Sequence, residues 1–126
     1  MEWYSAINSP VFTEIGASAI SNISANVLGL GRPAAVGAGR IGSAAFVSES
    51  SASTLAPASQ TRGAAAWSTA PTAPTSYLRR MSAKANVGDG VVWLFPRGLQ
   101  LAASSSLVIW NIANNAMLDT WAVIDE

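Results

Sequence analysis

The sequence contains no cysteine and no histidine. Their absence excludes disulfides, thiol nucleophiles, zinc fingers and any imidazole-based acid–base chemistry. Charge is also scarce. Seven basic residues balance seven acidic ones, and charged residues make up 11% of the chain, against about 25% in an average soluble domain. A neutral chain lacks the basic surface that nucleic acid or anionic lipid would require. Half of the residues are hydrophobic. So little charge protects a monomer poorly against association, so much of the surface is expected to be covered by copies of the chain or by a larger assembly. Long apolar runs are missing as well. The longest, Val91 to Phe95, falls far short of the ~20 residues of a membrane helix. The start, Met1-Glu2-Trp3-Tyr4, has neither a basic region nor an apolar stretch, and no secretory signal is expected there.

What is present reads as one β domain over residues 1–126, a length that suits a single domain. Alanine is abundant but interrupted by Ser, Gly, Thr and Pro, which break any long amphipathic helix. Ser50 to Ser59 has room for one helical turn. From Ser43 to Thr75 the chain is rich in Ala, Ser, Thr and Pro, the composition of long loops with short strands. The clearest strands are C-terminal: Gly90 to Phe95, Ser106 to Ile112 and Leu118 to Ile124, all rich in β-branched and aromatic residues. In the last, Leu118, Thr120, Ala122 and Ile124 face one way, and Asp119, Trp121, Val123 and Asp125 the other. Asn114-Asn115 reads as a hairpin connection between the last two strands. Weaker strands are expected over Trp3–Ile7, Val11–Ile15, Ala19–Leu28, Ile41–Val47 and Tyr77–Val87. Six to eight short strands separated by turns predict an all-β, jelly-roll-like β-sandwich with long Ala/Ser/Pro-rich loops. Pro10 separates the first two strands, and residues 1–15 are expected to form an extended N-terminal arm.

The motifs that could carry chemistry have simpler readings. Gly37-Ala38-Gly39-Arg40-Ile41-Gly42 matches the dinucleotide fingerprint in letters. The stretch just before it contains Arg32 and Pro33, no helix is expected after it, and the acidic residues downstream, Glu49 and Asp89, do not stand about 20 positions on. A glycine-rich loop is expected, with no cofactor. Asn22-Ile23-Ser24 is a chance sequon. Asp119 and Asp125 share a strand face, but six residues of strand span about 20 Å, too far for a carboxylate pair. Arg79 and Arg80 point to opposite faces and cannot form one anion fork. The tryptophans, Trp3, Trp67, Trp93, Trp110 and Trp121, are expected to act as packing and interface anchors. With no catalytic set, no metal site and no small-molecule substrate indicated, no enzyme is expected.

One resemblance sharpens this reading. The segment from Phe95-Pro96-Arg97-Gly98-Leu99 through Ser104-Ser105-Ser106-Leu107-Val108-Ile109-Trp110-Asn111, and the ending Asp119-Thr120-Trp121-Ala122-Val123-Ile124-Asp125-Glu126, resemble small jelly-roll-like structural proteins of tailed bacteriophages. Gly29-Leu30-Gly31-Arg32-Pro33-Ala34 and Ala66-Trp67-Ser68-Thr69-Ala70-Pro71-Thr72 are similar to the same group. The resemblance implies a virion component assembled in the host cytoplasm, a capsid cement or decoration protein. Such a protein would form a homotrimer and bind the major capsid protein between capsomers. A receptor- or glycan-binding module of a tail or head fibre is the alternative. No catalytic residue carries over. The expected anchors are Trp93, Trp110 and Trp121 for packing, Trp3 and Tyr4 of the arm for the shell, and Trp67, Arg79 and Arg80 at interfaces.

Overall fold

A computed structural model describes residues 1–22, 26–46, 59–84, 86–113 and 117–126. Among these the chain is all-β and contains no helix. The strands are β1 (Glu2–Ser5), β2 (Val11–Ala19), β3 (Asn26–Gly31), β4 (Ala38–Ile41), β5 (Ala44–Ala45), β6 (Thr61–Ala64), β7 (Ala66–Thr69), β8 (Arg79–Ala83), β9 (Gly90–Gln100), β10 (Ser105–Asn111) and β11 (Leu118–Asp125). They form a six-stranded sheet in the order β5-β6-β1-β10-β3-β8, a three-stranded sheet β11-β2-β9 and a ribbon β4-β7. All pairings are antiparallel, and most are nested. β1 pairs with β10, β2 with β9, β3 with β8, β4 with β7 and β5 with β6. The chain is therefore one long hairpin folded over on itself, with β11 added beside β2.

The core lies between the two larger sheets. Trp3, Leu28, Leu30, Leu107 and Ile109 come from one, and Phe12, Ile15, Ala17 and Phe95 from the other. Trp3 and Phe12 meet with ring centroids 5.9 Å apart. Strand alternation then sends Glu2 and Tyr4, and with them Ser106, Val108 and Trp110, to the opposite face of the six-stranded sheet. That face is covered too. Trp67 and Gly37 lie against Glu2, Pro74 against Gly31, and Tyr77 against Gly29. These glycines admit the covering side chains because a β-carbon at Gly31 would sit 2.9 Å from Pro74.

Several expectations are corrected. There is no N-terminal arm: β1 is an interior strand between β10 and β6, and Trp3 is 2% exposed. The last two strands do not form a hairpin. Residues 114–116 lie outside the described residues, but β10 is occupied on both edges by β1 and β3, so β11 pairs in the other sheet with β2. Among the described residues eleven strands replace six to eight, because small-residue segments such as Ala38–Ile41 and Thr61–Ala64 form short strands without a β-branched run. Ala19–Leu28 is the end of one strand and the start of the next, and Val11–Ile15 continues to Ala19. Ile41–Val47 divides into the end of β4 and β5, with Val47 outside the described residues. The helical turn expected at Ser50–Ser59 falls almost wholly outside them, as do two residues of the sequon.

Candidate interaction surface

The densest polar cluster is internal. Glu2, fully buried, takes Arg40 in a two-pronged grip, with Nε to Oε2 at 2.9 Å and Nη2 to Oε1 at 3.0 Å. The Gly37 amide donates to Oε1 at 3.0 Å, and the Trp67 indole Nε1 donates to Oε2 at 2.7 Å. Arg40 also lies over the Tyr4 ring, 3.7 Å from its centroid. Burial alone would raise the Glu2 pKa; the Arg40 guanidinium, with the Ser106 hydroxyl, the Gly37 amide and the Trp67 indole, outweighs it and holds the carboxyl below its ordinary value. The glycine-rich segment expected as a loop is mostly strand β4, because Ala38–Ile41 pairs with β7, and it does bind an anion, a carboxylate of its own chain. Gly39 and Gly42 adopt left-handed backbone there, with φ of 56° and 65°, which favours glycine. This cluster pins the β4–β7 ribbon to β1. Sequence reasoning missed Glu2, since a single acidic residue beside the first tryptophan has no distinguishing pattern.

A second carboxylate acts as a clasp. Glu126 accepts from the Thr61 hydroxyl at 2.6 Å, from the Thr61 amide at 2.9 Å and from the Gln60 amide at 3.2 Å. Burial pushes its pKa up, but these donors prevail and lower it. Both glutamates therefore have folded values below their ordinary 4.5. Groups of this kind contribute stability that is complete above the unfolded pKa and is lost as pH falls through the folded one. Thermal unfolding is expected to be nearly flat from pH 7 to about 5 and to decline below about 4.5. Glu126→Gln should shallow that decline; an unchanged acid profile in the variant would show that the clasp adds nothing.

The outward-facing surface is the outer side of β11-β2-β9. Two rows cross it: Trp121, Gly16 and Val92, then Val123, Glu14 and Leu94. Val92 is 50% exposed, Leu94 63% and Trp121 39%. The Trp121 indole lies flat over Gly16, where any β-carbon would collide with it. Its Nε1 donates to Glu14 Oε1 at 2.8 Å. An aromatic side chain held in place before binding loses little rotamer freedom on contact, which suits an interface anchor. No protein-family model, curated protein or solved structure matches the chain. Its own geometry therefore supplies the functional argument.

The other sequence-predicted anchors are scattered. Trp3 is in the core, and Tyr4 and Trp67 belong to the Glu2 cluster. Trp93 opposes Ile15 and packs inward against the core. Trp110 is half-buried opposite Gly29. Arg79 and Arg80 are both exposed on β8, with the Arg79 guanidinium 5.5 Å from the Phe95 ring centroid. Asp119 and Asp125 are exposed near the two ends of β11. A cleft of about 290 Å³ opens at one end of the core, lined by Trp67, Ile109, Asn111, Leu118 and Thr120 among others. None of its lining side chains is charged.

Proposed function

We propose that this chain is a non-enzymatic structural protein of a tailed-phage virion, a capsid cement or decoration protein. It self-associates as a homotrimer and binds the major capsid protein between capsomers on the outer surface of the head. The observation that carries this reading is the outer face of β11-β2-β9, where Val92, Leu94 and Trp121 are exposed beside the half-buried Val123, in a chain with 11% charged residues. A contiguous exposed apolar face of this kind is typical of a protein-binding surface. The resemblance of the segments Phe95–Asn111 and Asp119–Glu126 to such virion proteins gives the partner. The nested strand pairing also supports a jelly-roll wrapping, in which a long hairpin is rolled into facing sheets. Here the β4–β7 pair departs from that wrapping by crossing over the far side of the six-stranded sheet. Among the described residues Trp121 is the one exposed tryptophan, and around it on this face lie Val92, Leu94 and Val123 together with a single carboxylate, Glu14, which its own indole engages. That favours a protein partner over a glycan, which would call for several exposed aromatics among polar groups.

The function of such a protein is mechanical: many weak contacts, each multiplied by symmetry, join neighbouring capsomers. The test has two parts. Reconstruction of purified particles should show density for this chain at repeated positions between capsomers; density confined to the tail or fibres would reject the cement reading. On purified shells, the pair Val92→Asp and Leu94→Asp should weaken binding about 100-fold or more, given about 1.5–3 kcal/mol for each buried aliphatic side chain. Unchanged binding by a folded variant would remove this face from the interface.

A further inference from the structure

We propose that copies of this chain join head to tail, the basic free edge of β8 adding to the acidic free edge of β11 in the next copy. The inference rests on the self-association proposed above and names its joint. Each of the two larger sheets has two outer strands with an unpaired edge, β5 and β8 in the six-stranded sheet and β9 and β11 in the three-stranded sheet; of these, β8 carries exposed arginines and β11 exposed aspartates. An unpaired edge presents a row of free backbone donors and acceptors. The strand β11 spans Leu118–Asp125 without a proline or a lysine to blunt it.

The charges decide which edges can meet. Arg80 on β8 and Lys84 just beyond it are exposed, as are Asp119 and Asp125 on β11. Among the described residues the ion pair is Glu2 with Arg40, so these four charges are uncommitted. Pairing β8 with β8 would oppose cations, and pairing β11 with β11 would oppose carboxylates, and like charges directly across a ladder are destabilising. Between these two edges the mixed joint relieves both; the remaining outer strands are poorer partners, since β5 has two residues and no charge, and β9 carries a proline and the single cation Arg97. An antiparallel register with Arg80 opposite Asp125 also sets Met81 against Ile124, Ala83 against Ala122 and Lys84 against the exposed Trp121. Each is a favourable cross-strand pair, the last a cation–π contact. Because the two edges belong to different strands, the interface is heterologous and repeats until it closes into a ring.

The test is the mass of the purified full chain in solution at low ionic strength, by light scattering or sedimentation. The wild type should be a discrete oligomer of the 13.0 kDa chain. The variants R80E/K84E and D119K/D125K should each fall to monomer, and the fourfold variant carrying both reversals should reassemble. Restoration cannot come from misfolding, so it separates the joint from a general loss of structure. A monomeric wild type would overturn the joint and the self-association together. An oligomer that both single-edge variants leave intact would overturn the joint while leaving self-association standing. Neither result depends on where the protein lies on a particle.

Discussion

Trp3→Ala is expected to lower the unfolding free energy by about 3–5 kcal/mol, the usual cost of truncating a buried large aromatic. Trp3 is 2% exposed and sits on an interior strand between β10 and β6. Its ring is tilted 59° against Phe12 at 5.9 Å, in the favoured range for aromatic pairs. Truncation removes that contact and leaves a void that strands held on both edges cannot close. A domain of this size has about 5–15 kcal/mol in all, so the variant should populate unfolded chain at moderate urea. Ile7→Ala is the control. Ile7 follows β1 by two residues and is 72% exposed, so its truncation should change stability by about 0.5 kcal/mol or less. Urea denaturation of both variants checks the contrast. A loss below about 1 kcal/mol for Trp3→Ala would mean that β1 behaves as a detachable arm.

The contrast also shows where the sequence was readable. β9, β10 and β11 announce themselves, because their β-branched and aromatic residues both favour strands and supply the core. The alternation along β11 was read correctly: Leu118, Ala122 and Ile124 pack on the core, while Asp119, Trp121 and Asp125 are exposed. β1 was misplaced because its burial depends on β10, about a hundred residues away, and Pro10 imitates the end of an arm. Nothing local records a pairing over that distance. The hairpin expected at Asn114-Asn115 failed for a similar reason, since the connection was legible and the prior occupancy of β10 was not. β4, β5, β6 and β7 lack strand signatures because small residues are needed where neighbouring side chains come close, as Ser68 does at Gly39 in β4 and Met1 at Gly63 in β6. The exposed face was half legible. Trp121 was singled out from the sequence, but nothing in the strand Gly90–Phe95 marks Val92 and Leu94 as outward-facing, since apolar residues stand on both of its faces.

The Glu2 cluster gives the second large effect. Arg40→Met is expected to destabilise the protein by about 3–5 kcal/mol, the cost of leaving a buried charge without its partner. Glu2 is 0% exposed and Arg40 17%, so water cannot replace the guanidinium at the carboxylate. The Gly37 amide and the Trp67 indole would remain, but neither carries a compensating positive charge. The stacking of Arg40 on Tyr4 would go as well. Adding Glu2→Gln to Arg40→Met removes the stranded charge. The Gly37 amide and the Trp67 indole bond to different carboxylate oxygens, so one of them loses its acceptor. That costs less than a buried unpaired charge, and the double variant should be more stable than Arg40→Met alone. That ordering separates electrostatics from packing, since a packing loss would accumulate. The pH dependence gives an independent check. Without Arg40, burial dominates and moves the Glu2 pKa upward, so the carboxyl takes up a proton more readily in the folded state. The gap in stability between Arg40→Met and the wild type should therefore narrow as the pH is lowered from 7 towards 5. A gap that stays constant over that range, with the double variant no better than the single, would mean that the β4–β7 ribbon is held by its contacts with Trp67 and Tyr4 and that the ion pair contributes little.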